Sequence, residues 1–234
     1  MTRAKGTGPL SHSKEAKSRT TDPSPWPCPK ELAQEIIRRL QLEYPEAGTM
    51  LRFTTPFELL VAVVLSAQST DAQVNRVTAE LFESYRTPED FAQVDLRVLE
   101  ELIHGVGLNK GKAKHIKSLS GILLEKYRGE VPADFDSLLE LPGVGRKTAN
   151  VMLSVGFDQP GLGVDTHVQR VSNRLGLVKE TNPDKTEKAL KAIIPIDHWS
   201  KAHHLFIFHG RKVCLARKPD CAQCILEDIC QKVK

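Results

Sequence analysis

The sequence predicts an all-α fold. Apolar residues recur three and four positions apart, N-terminal helix caps recur along the chain, and no stretch alternates apolar with polar residues as a half-buried strand does. Leu32, Ile36, Ile37 and Leu40 form the apolar stripe of a first helix. Thr55-Pro56-Phe57-Glu58 supplies a capping hydroxyl, a proline at the first helical position and a glutamate at the third. The segment that follows, Phe57 to Leu65, is apolar almost all round, so it predicts a helix central to the core. Thr87-Pro88-Glu89-Asp90 and Asn182-Pro183 repeat the start signal. Gly-Val-Gly stands at 105–107 and again at 143–145, each time between an apolar helix end and a basic segment bearing a lysine. A helix that ends in glycine and restarts at once predicts a helix–hairpin–helix turn, with glycine supplying a positive φ or a close approach.

A chain of 234 residues can bury one long domain or two modest ones. Its 33 basic and 29 acidic residues leave a mildly basic balance, which suits a polyanionic partner without demanding one. No apolar run is long enough for a membrane span and no secretory leader is legible, so a soluble, intracellular protein is expected. Residues 1–28 are rich in Lys, Ser, Thr and Pro and predict a disordered basic tail, either solvated, touching DNA phosphates or acting as a transit peptide. Four of five cysteines crowd into the C-terminus as Cys214, Cys221, Cys224 and Cys230, leaving Cys28 as an isolated thiol. Such crowding points to a metal centre rather than a disulfide framework, and by ligand type four thiolates suit zinc or a [4Fe–4S] cluster.

The most informative segment is Leu141-Pro142-Gly143-Val144-Gly145-Arg146-Lys147-Thr148-Ala149-Asn150. Gly143 and Gly145 let backbone N–H groups at the start of the next helix face outward, where Arg146 adds charge, and a helix N-terminus of this kind attracts phosphate. Val164-Asp165-Thr166-His167 opens a further helix carrying Val168, Val171 and Leu175. By its local sequence alone Asp165 is a helix N-cap, with His167 beside it.

These segments, together with Leu65-Ser66-Ala67-Gln68-Ser69-Thr70-Asp71 and the cysteine cluster, occur in the order found in the endonuclease III family of helix–hairpin–helix DNA glycosylases, which the chain resembles from about residue 30 onward. The resemblance implies two helical domains flanking a DNA-binding cleft: a bundle at 49–159 with the hairpin, and a cluster domain from 29–48 and 160–234. It implies a bifunctional glycosylase and abasic-site lyase that removes oxidised pyrimidines from duplex DNA, acting as a monomer in the cytoplasm or nucleoid of a bacterium, or the nucleus or an organelle of a eukaryote. Lys147 matches the family's nucleophile. A neutral amine there can attack the sugar C1′, expel the base and leave an imine that acidifies the C2′ proton for β-elimination. Its pKa must fall from ~10.4 to ~7–8, a cost of ~3–5 kcal/mol to the ammonium form, and the helix N-terminus and Arg146 are expected to push that way. Asp165 matches the catalytic carboxylate, which stabilises positive charge on the sugar. His167 is expected to be structural and Asp71 a helix cap.

A glycosylase must take its target nucleotide out of the stack and fill the gap. Gln68 matches the family's gap-filling glutamine, and Leu108, after the first Gly-Val-Gly, matches the residue wedged into the opposite strand. Asn109 stands where an aromatic is frequent, and Lys110-Gly111 replace an uncharged polar pair. The spacing Cys-x6-Cys-x2-Cys-x5-Cys matches the family's cluster loop and favours [4Fe–4S] over zinc; Arg217 and Lys218 in that loop become candidate phosphate contacts. Rival readings are a relative specialised for another lesion, and a non-catalytic iron–sulfur DNA-binding or redox protein, which leaves Lys147 and Asp165 unexplained.

Overall fold

The structure, a computed structural model, describes residues 28–232, so residues 1–27 and the expectation of a disordered tail made for them lie outside the described residues. Among those described there are helices and loops and no strands. Eleven α-helices follow in order: α1 Pro29–Glu43, α2 Pro56–Leu65, α3 Asp71–Ser84, α4 Pro88–Gln93, α5 Leu96–Leu102, α6 Asn109–Tyr127, α7 Phe135–Leu139, α8 Arg146–Val151, α9 Thr166–Arg174, α10 Pro183–Ile193 and α11 Trp199–Lys212.

The helix starts follow the local chemistry. Thr55, Thr70 and Thr87 each accept from the backbone N–H three residues on, Asp134 does the same for Ser137, and Asn182 Oδ1 takes the N–H groups of Asp184 and Lys185. Each cap satisfies donors that the first helical turn leaves without intrahelical partners. In α2 every residue from Phe57 to Leu65 is buried, as its uniform apolarity predicts. Glu58 is buried with them because Thr54 donates to Oε2 through N and Oγ1 (2.6 and 2.7 Å) and Arg86 donates to Oε1 (3.0 Å). Burial alone raises a carboxyl's pKa; the Thr54 and Arg86 donors overcome it and hold Glu58 below its ordinary value.

Two hydrophobic cores form. One gathers residues between Phe57 and Leu153 around α2; the other joins α1 to α9, α10, α11 and Leu226. The chain passes between them through a π-helical turn at Met152–Gly156 and the loop 157–165. At Gly161 the loop presses against α8 so closely that a Cβ would overlap the Asn150 carbonyl oxygen.

Gly161→Ala is therefore expected to destabilise the protein by about 1–3 kcal/mol in urea unfolding, through overpacking. Gly121→Ala, in the interior of α6 with nothing within 4 Å of the added Cβ, is expected to stabilise it by about 0.5–1 kcal/mol. Equal effects at the two positions would show that the loop can move off α8.

Candidate active site and cluster loop

The hairpin before α8 is a turn in which Val144 N–H donates to the Leu141 carbonyl (3.0 Å). Pro142 and Gly143 occupy its central positions, and Gly143 has φ +82°, the pattern of a type II turn. Gly145 differs from Gly143: it is extended (φ −98°, ψ 178°) and serves as the N-cap of α8, with open space where a Cβ would stand. Its contribution is an unobstructed backbone rather than an unusual dihedral. In the first hairpin neither glycine has a positive φ. Gly105 and Gly107 allow close approaches, to Val77 Cγ2 (2.9 Å) and the Gln68 carbonyl (3.4 Å) respectively, and the left-handed residue is Leu108 at φ +59°.

Helix α8 puts Lys147 in its first turn, on a narrow pocket of about 80 Å³ shared with Ser66, Asp71, Asp165, His203 and Arg211. Gly163 makes this possible: a Cβ there would lie 3.1 Å from the Lys147 carbonyl oxygen and 3.4 Å from its Cγ. Burial, more than any other cause, pushes the Lys147 amine below the ordinary lysine pKa; Arg211 adds to this, while Asp165 and Asp71 oppose it. Arg146 does not supply the expected help. Its guanidinium turns away to buried Glu187 (Nη2–Oε1 2.8 Å, Nε–Oε2 3.1 Å) and lies 4.8 Å from the centre of the Phe135 ring. The sequence could not show this, because Glu187 comes from α10, 41 residues on.

Asp165 is an N-cap, as its local sequence says, and it also lines the Lys147 pocket. Its Oδ1 accepts from His167 N and Val168 N, both at 2.8 Å, which fixes the plane of the carboxylate. Asp71 is not a cap: Thr70 has that role, and Asp71 pairs with Arg211 (3.0 Å) beside Lys147. His167 Nδ1 accepts from Arg170 Nη2 (3.1 Å), which places it in a structural contact. Of the other residues read from the sequence, Gln68 and Leu108 are exposed at adjacent loop tips, and Arg217 and Lys218 are exposed in the cluster loop.

Three contributors were not singled out from the sequence. Asn150, 1 % exposed, donates from Nδ2 to the Arg146 carbonyl (2.9 Å) and accepts at Oδ1 from Leu162 N (3.1 Å) and Lys191 Nζ (2.9 Å). An amide among Ala149, Val151 and Met152 was its only signal. Arg170 donates to the carbonyls of Gly210 (2.9 Å) and Cys214 (3.2 Å); Arg174 donates to those of Leu215 (2.6 Å) and Ala216 (3.0 Å). Two arginines one turn apart on α9 thus tie the Asp165 helix to the start of the cysteine loop.

Cys214, Cys221, Cys224 and Cys230 line one cavity of about 1050 Å³ together with α9. The thiols of Cys224 and Cys230 are pushed up, first by burial and then by charge on the neighbouring cysteines. Once deprotonated, four cysteines on one cavity need a cationic centre to compensate them, and thiolate is the donor type that iron–sulfur clusters and zinc both take. His209 Nδ1 contacts the Tyr44 hydroxyl (3.3 Å) and its Nε2 lies 3.6 Å from Cys224 Sγ. In the tautomer protonated at Nε2, the ring accepts from the Tyr44 hydroxyl and donates to the Cys224 sulfur. The residues fit an iron–sulfur cluster.

The lowered pKa of Lys147 sets a pH dependence. If Lys147 is the nucleophile that the family resemblance implies, the rate of covalent capture on abasic DNA should rise with pH as the amine loses its proton and level off below the ~10.4 of a free lysine. Arg211→Met removes a charge that disfavours the ammonium and also unpairs Asp71, so it should move the rise to higher pH; Asp71→Asn should move it lower. Identical profiles for all three proteins would contradict this electrostatic reading.

The chain matches two family models, "HhH-GPD superfamily base excision DNA repair protein" over residues 61–195 and "Iron-sulfur binding domain of endonuclease III" over 214–230. Endonuclease III of Bacillus subtilis (strain 168) is 50% identical over 190 residues, covering 81% of this chain and 87% of that protein. Endonuclease III of Escherichia coli (strain K12) is 44% identical over 197 residues, covering 84% and 93%. A solved trapped endonuclease III–DNA covalent intermediate superposes with a TM-score of 0.84 at 48% identity, covering 87% of this chain and 96% of that one. A thermostable thymine-DNA glycosylase, at 20% identity and a TM-score of 0.78, shares the fold. The chain belongs to the endonuclease III family of helix–hairpin–helix base-excision-repair DNA glycosylases and abasic-site lyases, and it is an iron–sulfur protein that binds DNA.

Proposed function

We propose that this protein removes oxidised or ring-saturated pyrimidines from duplex DNA and then nicks the abasic site by β-elimination, with Lys147 as nucleophile and Asp165 as its carboxylate partner. The observation that carries the assignment is a lysine of lowered pKa sharing a narrow pocket with an oriented carboxylate. The neutral Lys147 amine attacks C1′, and the C1′–N bond to the base breaks as the base leaves with a proton. The C1′–O4′ bond then opens, O4′ taking a proton, and the resulting iminium makes the C2′ proton acidic. Its removal drives cleavage of the C3′–O bond and leaves the sugar fragment on the lysine until water releases it. Asp165 stabilises the positive charge that grows on the sugar as the base departs.

The DNA lies in the cleft between the two cores, which correspond to a bundle domain at 49–159 and a cluster domain from 29–48 and 160–234. Backbone N–H groups after Gly143 and Gly145 receive phosphate. Arg146 takes part through its backbone, since its side chain is held by Glu187. Gln68 fills the gap left by the extruded nucleotide, Leu108 wedges the opposite strand, and Arg217 and Lys218 contact phosphate. Cys214, Cys221, Cys224 and Cys230 hold the [4Fe–4S] cluster, which, when bound, supplies a covalent cross-link that shapes the loop carrying those two basic residues. The protein acts as an intracellular monomer.

Incubation with abasic DNA and borohydride tests the mechanism. Intact protein should give a covalent adduct, and Lys147→Gln should abolish it. Undiminished trapping by that variant would remove Lys147 from the role. A panel of duplexes carrying oxidised pyrimidines, alkylated purines and mismatches should show excision of the first group, and preference for either of the others would overturn the substrate proposal.

A further inference from the structure

Lys112 is a lysine only 4 % exposed, in the first turn of α6, where a helix dipole disfavours a cation. Burial depresses its pKa, and no acidic group offsets the cost. Its partners explain its position. Nζ donates to the Leu65 carbonyl (2.8 Å), one of the carbonyls that the end of α2 leaves without an intrahelical donor, and to Ser69 Oγ (3.2 Å). Ser69 Oγ also accepts from Gly107 N–H (3.1 Å). Two loops distant in sequence, 66–70 and 104–108, thus share one hydroxyl and one ammonium. Each loop carries a non-glycine residue in the left-handed region immediately beside that junction: Gln68 (φ +56°) and Leu108 (φ +59°). Both side chains are exposed, and Leu108 is among the most exposed large apolar residues at 62 %. Left-handed backbone at residues with a Cβ is held only where surrounding contacts over-determine it.

We propose that Lys112 and Ser69 are positioning residues that clamp the Gln68 and Leu108 tips into one rigid probe, so that the two side chains enter the duplex together when a nucleotide is extruded. This rests on the reading of those tips as DNA-penetrating groups. Without the clamp each loop relaxes its left-handed residue separately, and opening of the stack slows while the Lys147 pocket is untouched. A strand with no stack to open has no need of the probe.

The test compares Lys112→Met, Ser69→Ala, Gln68→Ala and Leu108→Ala on two substrates. One is a duplex with a single 5,6-dihydrouracil flanked by 2-aminopurine; the other is a single strand with a preformed abasic site. Lys112→Met and Ser69→Ala should slow single-turnover excision from the duplex by at least about tenfold, on the scale of small misplacements, and reduce the 2-aminopurine fluorescence rise. Both should be trapped on the single strand at the wild-type rate, and Lys112→Arg should restore most duplex activity. Normal duplex opening by Lys112→Met and Ser69→Ala, with Gln68→Ala and Leu108→Ala impaired, would overturn the clamp. Equal losses on both substrates would overturn it too, since that marks general damage. Normal opening by Gln68→Ala and Leu108→Ala would instead overturn the reading of the tips. If Lys112→Met loses the cluster's absorbance and helicity, Ser69→Ala, which keeps the bond to Leu65, decides the matter.

Discussion

The two halves of the candidate active site are tied together through one buried amide. Asn150 sits on the hairpin helix α8, yet its Oδ1 holds the N–H of Leu162 and the ammonium of Lys191, groups that belong to the other core. Lys147 comes from one core and Asp165 from the loop and helix that begin the other. Asn150 joins the backbone that carries Lys147 to the loop that delivers Asp165, where Gly161 and Gly163 also press against α8. Both of its polar ends are bonded, which is the condition under which a fully buried amide stabilises structure and does not weaken it.

Around that amide the two cores are joined by further polar links. Arg146 and Lys191 share buried Glu187, at 2.8 Å each, and Asp71 meets Arg211 beside the pocket. Breaking a buried pair leaves an uncompensated charge, so the Glu187 knot resists separation of the cores. The site thus lies at a seam held by directional bonds, with hydrophobic packing confined to either side. Such a seam buries Lys147 and so lowers the pKa of its amine, with Arg211 adding to the shift and Asp165 and Asp71 opposing it. On the far side of α9, Arg170 and Arg174 extend the same rigidity to the cysteine loop, so the helix that begins at Asp165 also anchors the metal centre.

Much of this was legible in the sequence because it is local. Helix starts follow from Thr55, Thr87 and Asn182, and the central position of α2 from its apolarity. The iron–sulfur centre follows from four crowded cysteines once the family is seen. What escaped is what depends on pairing at a distance. Arg146 reads as a phosphate ligand until Glu187 arrives from α10. Asp71 reads as a cap until Arg211 is folded beside it. Leu108 carries a positive φ that the two preceding glycines suggested for themselves. Asp165 shows the limit differently: its sequence supports a cap, the cap is real, and the carboxylate also faces the Lys147 pocket. The hairpin itself was only partly legible, since Gly143 needs its left-handed backbone and Gly145 needs only empty space.

The measurement that bears most directly on this arrangement is the single-turnover rate of borohydride trapping on abasic DNA by Asn150→Leu, taken with its helicity and cluster absorbance. If the amide sets the approach of Lys147 to Asp165, trapping falls on the order of 100-fold in a protein that keeps its helices and its cluster. Trapping at the wild-type rate in that folded variant would contradict the claim that this one side chain aligns the two halves of the site.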